Sequence, residues 1–427
     1  MFNPSDKRFY PARWKTCRGK QLFQVIDERS LDGNEELLSV SHITGITPRK
    51  QKNVTMFQSE SLVGYKICRI GDIAANTMWT WQGAIGVSSY FGVISPAYNV
   101  YRQIENVYNG RYLDLLLRER KLIDVYHSLS TGIRPSRLRL YPEVFLTIDF
   151  PVPPREEQDQ IVRFLDWKVS EINRLINIKK RRLAIVQELI DKQFRILASK
   201  AIQKTKLKYI VNLCQDFIEI IPSDYYCKTG MYNRGRGIFR REAILGEDMG
   251  DSSFQEIHSG CVMISGQFAW EAATYVTAKE DESGVVSHRY YLLKSTTEIP
   301  PEYIWAFLIS DYGQMLMKSC SHGAAGRNRP LNIKELLNEY IPIPDSSCKS
   351  EVQSLVNTVQ QMMALRKATL QEEQILSEMR SRLISDVVTG KIDVRGIEIP
   401  EYEYTAEEAD TDSEAEAEEF DEEVSDE

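Results

Sequence analysis

The chain has 427 residues, 42% of them hydrophobic and 27% charged, with a formal net charge of −8. That is too long for one small core and suits two domains with connecting elements. It contains no run of eighteen apolar residues, and its opening MFNPSDKRFYPARWK has no apolar signal core, so neither a membrane span nor a secretory leader is expected.

Seven cysteines, at 17, 68, 214, 227, 261, 320 and 348, are scattered and never form a CxxC pair, the usage of reduced thiols. Five histidines offer no HExxH or other metal-ligand spacing, so no metal site is expected. The negative charge is segregated. Residues 401–427 carry fifteen Asp and Glu and no Lys or Arg, which leaves 53 basic against 46 acidic residues in the first 400. A basic body with an acidic tail is compatible with nucleic-acid binding, and the tail has too little to bury to fold.

From the N-terminus, short β-rich runs such as YKICRIGDIAAN (65–76) are broken by glycines. A helix follows at 110–129, then the arginine-rich loop STGIRPSRLRL (130–140), then FPVPP at 150–154. Residues 155–199 contain no Pro or Gly, and their apolar residues step by three and four: Ile161, Leu165, Val169, Ile172, Ile176, then Leu183, Val186, Ile190, Phe194, Leu197. Such a stripe over about 65 Å reads as a coiled coil.

The pattern then repeats at an offset of 191. Tyr112 matches Tyr303, Gly132 matches Gly323, FPVPP matches IPIPD at 341–345, and Lys200 matches Lys391. The second arginine loop is SHGAAGRNRPL (321–331), and the β-rich run GCVMISGQFAW (260–270) lies upstream of it. A second long helix is expected over 347–389 from Val352, Val356, Val359, Met363, Leu370, Met379, Leu383 and Val387, with Gly390 as a left-handed stop. Charged pairs at 179/180 and 366/367 interrupt the two stripes. Two matched helices in one chain most simply pair antiparallel, which places two similar mixed domains at opposite ends of a rod. The expected segments are 1–152 and 203–345 (mixed domains), 153–202 and 346–395 (helices), and 396–427 (disordered tail). The fold class is α+β.

Two basic grips at fixed separation suit DNA. Arg134, Arg137 and Arg139, and Arg327 and Arg329, are placed to hold backbone phosphates, with Ser130, Thr131, Ser321 and Asn328 as neutral donors. The competing reading is a solvated loop, or one paired to Glu143 and Glu335. The halves differ where they are polar, as reading two half-sites requires. Candidate base readers are Arg49, Lys50, Lys52, Trp79, Trp81 and Gln82 in the first half, and Arg234, Arg236, Arg240, Arg241, Gln267 and Trp270 in the second. Each tryptophan serves equally well as core. No Walker or dinucleotide motif and no paired nuclease signature occurs, and Glu157 and Asp159 read as solvated helix positions rather than catalytic ones.

The chain resembles the specificity subunits of type I restriction–modification systems. The resemblance covers about residues 14–395 and rests on FPVPPREEQDQIVRFLDWKVSEINRLI with IKKRRLAIVQELIDKQ, and on IPIPDSSCKSEVQSLVNTV with EMRSRLISDVVTGKIDVR. It implies two target-recognition domains, each reading half of a split DNA site, with two helices setting the unread gap. It implies a non-catalytic adaptor on double-stranded DNA that docks two adenine-N6 methyltransferase subunits and restriction/translocase subunits in the prokaryotic cytoplasm, at the nucleoid. S-adenosylmethionine, ATP and Mg are then expected in those partners, with no cofactor in this chain. PDSSCKSEV departs from the acidic-glutamine start PPREEQDQI of the first half, and the acidic tail is not part of the family pattern. The other readings are a bipartite DNA-binding adaptor for another defence or methylation enzyme, and a coiled-coil scaffold that touches no DNA.

Overall fold

The computed structural model describes residues 10–51, 61–132, 138–232, 235–323 and 329–406. The chain divides into two compact units, one running to Ile176 and resuming at Ile375, the other Asn177–Gln374. The division falls inside both long helices rather than at their ends, where the expected segment boundaries lay.

In the first unit a four-stranded antiparallel sheet has the order Phe23–Ile26, Asn99–Gln103, Ile73–Ala75, Ile85–Val87. Ile73–Ala75 is buried at every position, as a strand covered on both faces must be. The hairpin Leu38–Ser41/Gly45–Pro48 lies beside it in sequence, and helices Gly110–Leu117 and Arg120–Leu129 follow. Lys15–Arg18 pairs antiparallel with Asp149–Val152, a two-stranded ribbon whose edge tolerates Pro151. An aromatic core of Phe23, Tyr101, Tyr112, Tyr126, Phe145 and Phe150 packs on Ile161 and Leu165 of the first long helix and Val387 and Val388 of the second.

The second unit repeats this plan. Its sheet has the order Val211–Cys214, Tyr290–Ser295, Cys261–Ser265, Thr274–Val276. Its hairpin is Thr229–Tyr232/Gly237–Arg240, its helices Pro301–Ile309 and Asp311–Ser319, and its ribbon Gln203–Lys206 with Tyr340–Ile343. The core centres on Tyr303, Trp305 and Phe307, packed with Ile190, Phe194 and Leu197 of the first long helix and Leu355, Val359 and Met362 of the second.

The long helices run Arg155–Ser199 and Lys349–Val388. Within the second unit Gln187 meets Arg366 at 2.8 Å, Gln193 meets Ser354 at 3.3 Å and Lys200 meets Glu351 at 3.1 Å, so the two run antiparallel. In the first unit Asn173 meets Arg380 at 3.1 Å in the same sense. The apolar seam is less continuous than expected. Ile176, Leu183 and Val186 are only half-buried, and Met379 is exposed. Polar Ser170, Asn173, Arg366 and Thr369 occupy buried helix positions instead.

Glu157 is not the solvated residue expected. It is buried, and the Arg13 guanidinium donates to it at 2.6 Å. Gly390 ends the second helix in the left-handed region (φ +73°), and any Cβ there would lie 2.6 Å from Pro11 and 2.7 Å from Trp14. The chain beyond it packs along the first long helix. Gln160 Nε2 donates to the carbonyls of Val394 and Ile397, Asn173 Nδ2 donates to that of Thr405, and the Thr405 N–H donates to Ser170 Oγ. The tail expected from 396 therefore starts no earlier than 407, and residues 407–427 lie outside the described ones. No helix among the described residues is long and apolar enough to cross a membrane.

Candidate nucleic-acid interface

Each arginine loop springs from the end of a helix and is pinched shut at its neck. In the first, the N–H of Thr131 and the N–H of Arg139 donate to each other's carbonyls, both at 3.0 Å. In the second, the His322 N–H donates to the Pro330 carbonyl at 3.1 Å, 191 residues on at both ends. The exits match as well. The Leu140 N–H donates to the Thr77 carbonyl at 3.3 Å, and the Leu331 N–H donates to the Gly266 carbonyl at 2.7 Å.

Thr77 and Gly266 each open a short turn built around a tryptophan. The turns are 3₁₀ helices, Thr80–Gln82 and Ala269–Glu271, and both close on a left-handed residue, Gly83 (φ 94°) and Ala272 (φ 57°). Trp81 and Trp270 occupy the same place in the two turns and are half-buried. Trp81 lies 5.4 Å from the His127 ring, and Trp79 stacks on it at 6.3 Å. The Arg329 guanidinium lies 5.3 Å over Trp270, a cation–π contact. The fold thus joins two stretches singled out separately in the sequence, the arginine loop and the tryptophan turn, and does so once in each unit.

No protein-family model matches the chain. It is 20% identical over 415 residues to the type I restriction enzyme MjaVIII specificity subunit of Methanocaldococcus jannaschii, covering 90% of this chain and 92% of that one. A solved structure described by the assembly and conformational transition of the type I restriction–modification system superposes with a TM-score of 0.52 at 15% identity. It covers 90% of this chain and 99% of its own. The HsdS subunit of Thermoanaerobacter tengcongensis gives 0.41 at 16% identity, over 90% and 98%. Of these two structures, the first shows the fold. Over nine-tenths of its length the chain is similar to a type I specificity subunit.

The described candidate residues sort by what already occupies them. Ser130 and Ser321 have spent their hydroxyl protons. Each donates at 2.7 Å to the carbonyl four residues back, Tyr126 or Met317, satisfying a helix end. In the DNA-free chain both hydroxyls cap the ends of the helices that precede the loops. Arg240 is likewise engaged. Its guanidinium donates to Ser283 Oγ at 2.9 Å, to Asp281 Oδ1 at 3.3 Å and to the Glu280 carbonyl, and the residue remains exposed. The Trp81 indole N–H donates to the Met78 carbonyl at 2.8 Å, leaving a stacking face rather than a donor.

Thr131, Arg139, Arg329, Lys50 and Arg241 are exposed, and Arg49, Trp79, Gln82, Arg236, Gln267 and Trp270 are half-buried. Lys50 reaches Glu36 only at 3.8 Å, an exposed pair of little worth. Arg236 lies 5.2 Å over the Tyr232 ring beside the hairpin tip. Arg134, Arg137, Arg327, Asn328, Lys52 and Arg234 lie outside the described residues. Glu335, an expected alternative partner for the second loop, binds His322 at 2.7 Å and Asn332 at 2.7 Å.

Two positioning contacts had no sequence signal. Arg118 Nη2 donates to the carbonyls of His42 (3.1 Å) and Ile43 at the tip of the first hairpin. Asp159, read as solvated, accepts from Asn109 Nδ2 at 2.7 Å, which holds its carboxyl below the usual range.

Proposed function

We propose that the chain is the sequence-reading, non-catalytic component of a type I complex, in which each unit reads one half of a split DNA site. The observation that carries this is the duplication of one assembly, an arginine loop pinned to a tryptophan turn, in both units with matching backbone bonds. Loop arginines neutralise phosphates and fix register, while the divergent hairpins and turns read base edges. The antiparallel helices set the gap between half-sites.

Adenine methyltransferase subunits dock on the helices, and restriction/translocase subunits join them. These partners contribute S-adenosylmethionine, ATP and Mg, and the complex works at the nucleoid. Support for docking comes from the first long helix. Ile178, Ile185, Leu189 and Ile196 recur at heptad-like steps, yet each is 45–59% exposed.

The test is to co-express the chain with the methyltransferase encoded beside it and map every methylated adenine in the host DNA. Two short specified blocks around a fixed gap are expected. A continuous motif overturns the two-unit reading and keeps a DNA adaptor. An absence of methylation, from a complex that assembles and binds S-adenosylmethionine, sinks the type I reading.

A further inference from the structure

Arg366 is the anomaly of the second long helix. It is 8% exposed and has no carboxylate partner among the described residues. Nη2 donates to Gln187 Oε1 at 2.8 Å, the guanidinium lies 5.3 Å over the Trp305 ring, and Nη1 is buried without a hydrogen-bond partner among the described residues. Burial pushes its pKa down to about 10. A buried guanidinium paired only with an amide is expensive, and an apolar residue of similar volume would stabilise the core better.

What surrounds the group explains its presence. A Cβ at Gly235, in the tip of the second hairpin, would sit 3.4 Å from Nη1 and 3.5 Å from the Ala272 carbonyl. Gly235 and Gly237 have positive φ (62° and 114°), and Ala272 is the non-glycine residue with positive φ among those described. Gly235 therefore lies between the guanidinium and the carbonyl of the left-handed Ala272, and Gly237 lies against Leu370 of the same helix, so hairpin, tryptophan turn and long helix meet here. The next residue makes a second tie. Lys367 Nζ reaches Glu280 Oε1 at 3.0 Å, in the short helix Lys279–Ser283 that also holds Arg240 of the hairpin. In the first half the residue 191 positions earlier is Leu175, half-exposed, and the hairpin tip is held by Arg118 of its own domain.

We propose that Arg366 is a positioning residue for sequence reading by the second unit. It fixes the hairpin segment that starts at Gly235 and the tryptophan turn against the second long helix, so that their side chains meet base edges in one register. The planar fork suits this task where a flexible ammonium does not. The inference rests on the reading of the chain as a specificity subunit.

The experiment uses the full chain in complex with its methyltransferase, and compares per-site adenine methylation for wild type, R366M and R366K. Arg366→Met is expected to relax base discrimination about tenfold at one half-site only, leaving the other half-site and the gap unchanged. Arg366→Lys recovers part of that selectivity. Equal relaxation of both half-sites, or none at either, overturns the proposal. Should R366M fail to assemble, Gln187→Met removes the acceptor while keeping the arginine, and the same one-sided relaxation is required of it. A wild-type complex with no split motif condemns the functional reading instead.

Discussion

At position 114 the first half has an aspartate, and at 305, on the equivalent helix, the second half has a tryptophan. Asp114 Oδ1 accepts the Val87 N–H at 2.9 Å, tying helix to sheet edge, whereas Trp305 is wholly buried beneath Arg366. Positions 175 and 366 have diverged with them, to an exposed leucine and a buried arginine. The nearby tyrosines show the same redistribution. Tyr303 Oη donates to the Pro342 carbonyl, while in the first half the matching Pro151 carbonyl is taken by Tyr108, and Tyr112, the equivalent of Tyr303, donates to Val388 on the second long helix. The backbone frame is held in duplicate, and the side chains beneath it have been reassigned in groups. Trp305 and Arg366 touch, so these two departures from the first half meet at one place in the second core.

The largest effect that would break this comparison is at the 114/305 position itself. Trp305→Ala is expected to cost about 3–5 kcal/mol in denaturant unfolding, since the cavity lies at the centre of the second core. Asp114→Ala removes one hydrogen bond to the backbone and should cost about 1 kcal/mol. Similar losses at the two sites would mean that the second core does not depend on its tryptophan.

Next come the tyrosines. Tyr112→Phe and Tyr303→Phe each strip a buried carbonyl of its partner, for about 1–2 kcal/mol apiece. They are distinguished by hydrogen exchange. Tyr112→Phe should speed exchange in the last turn of the second long helix around Val388, and Tyr303→Phe should speed it in the ribbon Tyr340–Ile343. Exchange that rises in the ribbon Asp149–Val152 for Tyr112→Phe would show the two tyrosines to be interchangeable after all.

How much of this could be read beforehand follows from where the repeat is rigid. The offset of 191 holds through helix, arginine loop, ribbon and long helix, because each residue there is fixed by a backbone bond that recurs, such as Thr131 to Arg139 and His322 to Pro330. Across the sheets it slips. Trp81 and Trp270 are 189 apart, and the strand starts Phe23 and Val211 are 188 apart, so the equivalence of the two tryptophan turns was hidden by insertions between strands. Arg240 gave no sign of its commitment, since Glu280, Asp281 and Ser283 lie some forty residues on. Arg366 looked like a flaw in an apolar stripe. Hydropathy registers that a charge interrupts the seam and carries no information about the hairpin that arrives beside it.

The exposed loop arginines sharpen the comparison on the functional side. Arg139→Ala and Arg329→Ala should each weaken binding to specific and random duplexes alike and lower the salt-dependence slope by about 1, as loss of one phosphate contact does. Arg329→Ala also uncovers the Trp270 face, so its loss at the specific site should exceed that of Arg139→Ala by a few-fold, measured by titration across salt concentrations. A loss confined to the specific site for both would make these residues base readers instead.

The smallest effect tests the two serines at the loop necks, whose hydroxyls cap helix ends in the DNA-free chain. Their hydroxyls make the same bond, yet the carbonyls they serve are not equally provided for. The Tyr126 carbonyl also receives the Ser130 N–H at 2.9 Å, so it keeps a donor in Ser130→Ala, which should cost only a few tenths of a kcal/mol. The Ser321 N–H goes instead to Lys318 at 3.3 Å, so Ser321→Ala takes a donor from the Met317 carbonyl at a buried position and should cost about 1 kcal/mol. Neither change should alter the salt dependence of DNA binding, because neither hydroxyl has a proton left to offer a phosphate. A shallower slope for either variant would return that serine to the phosphate contacts its sequence suggested.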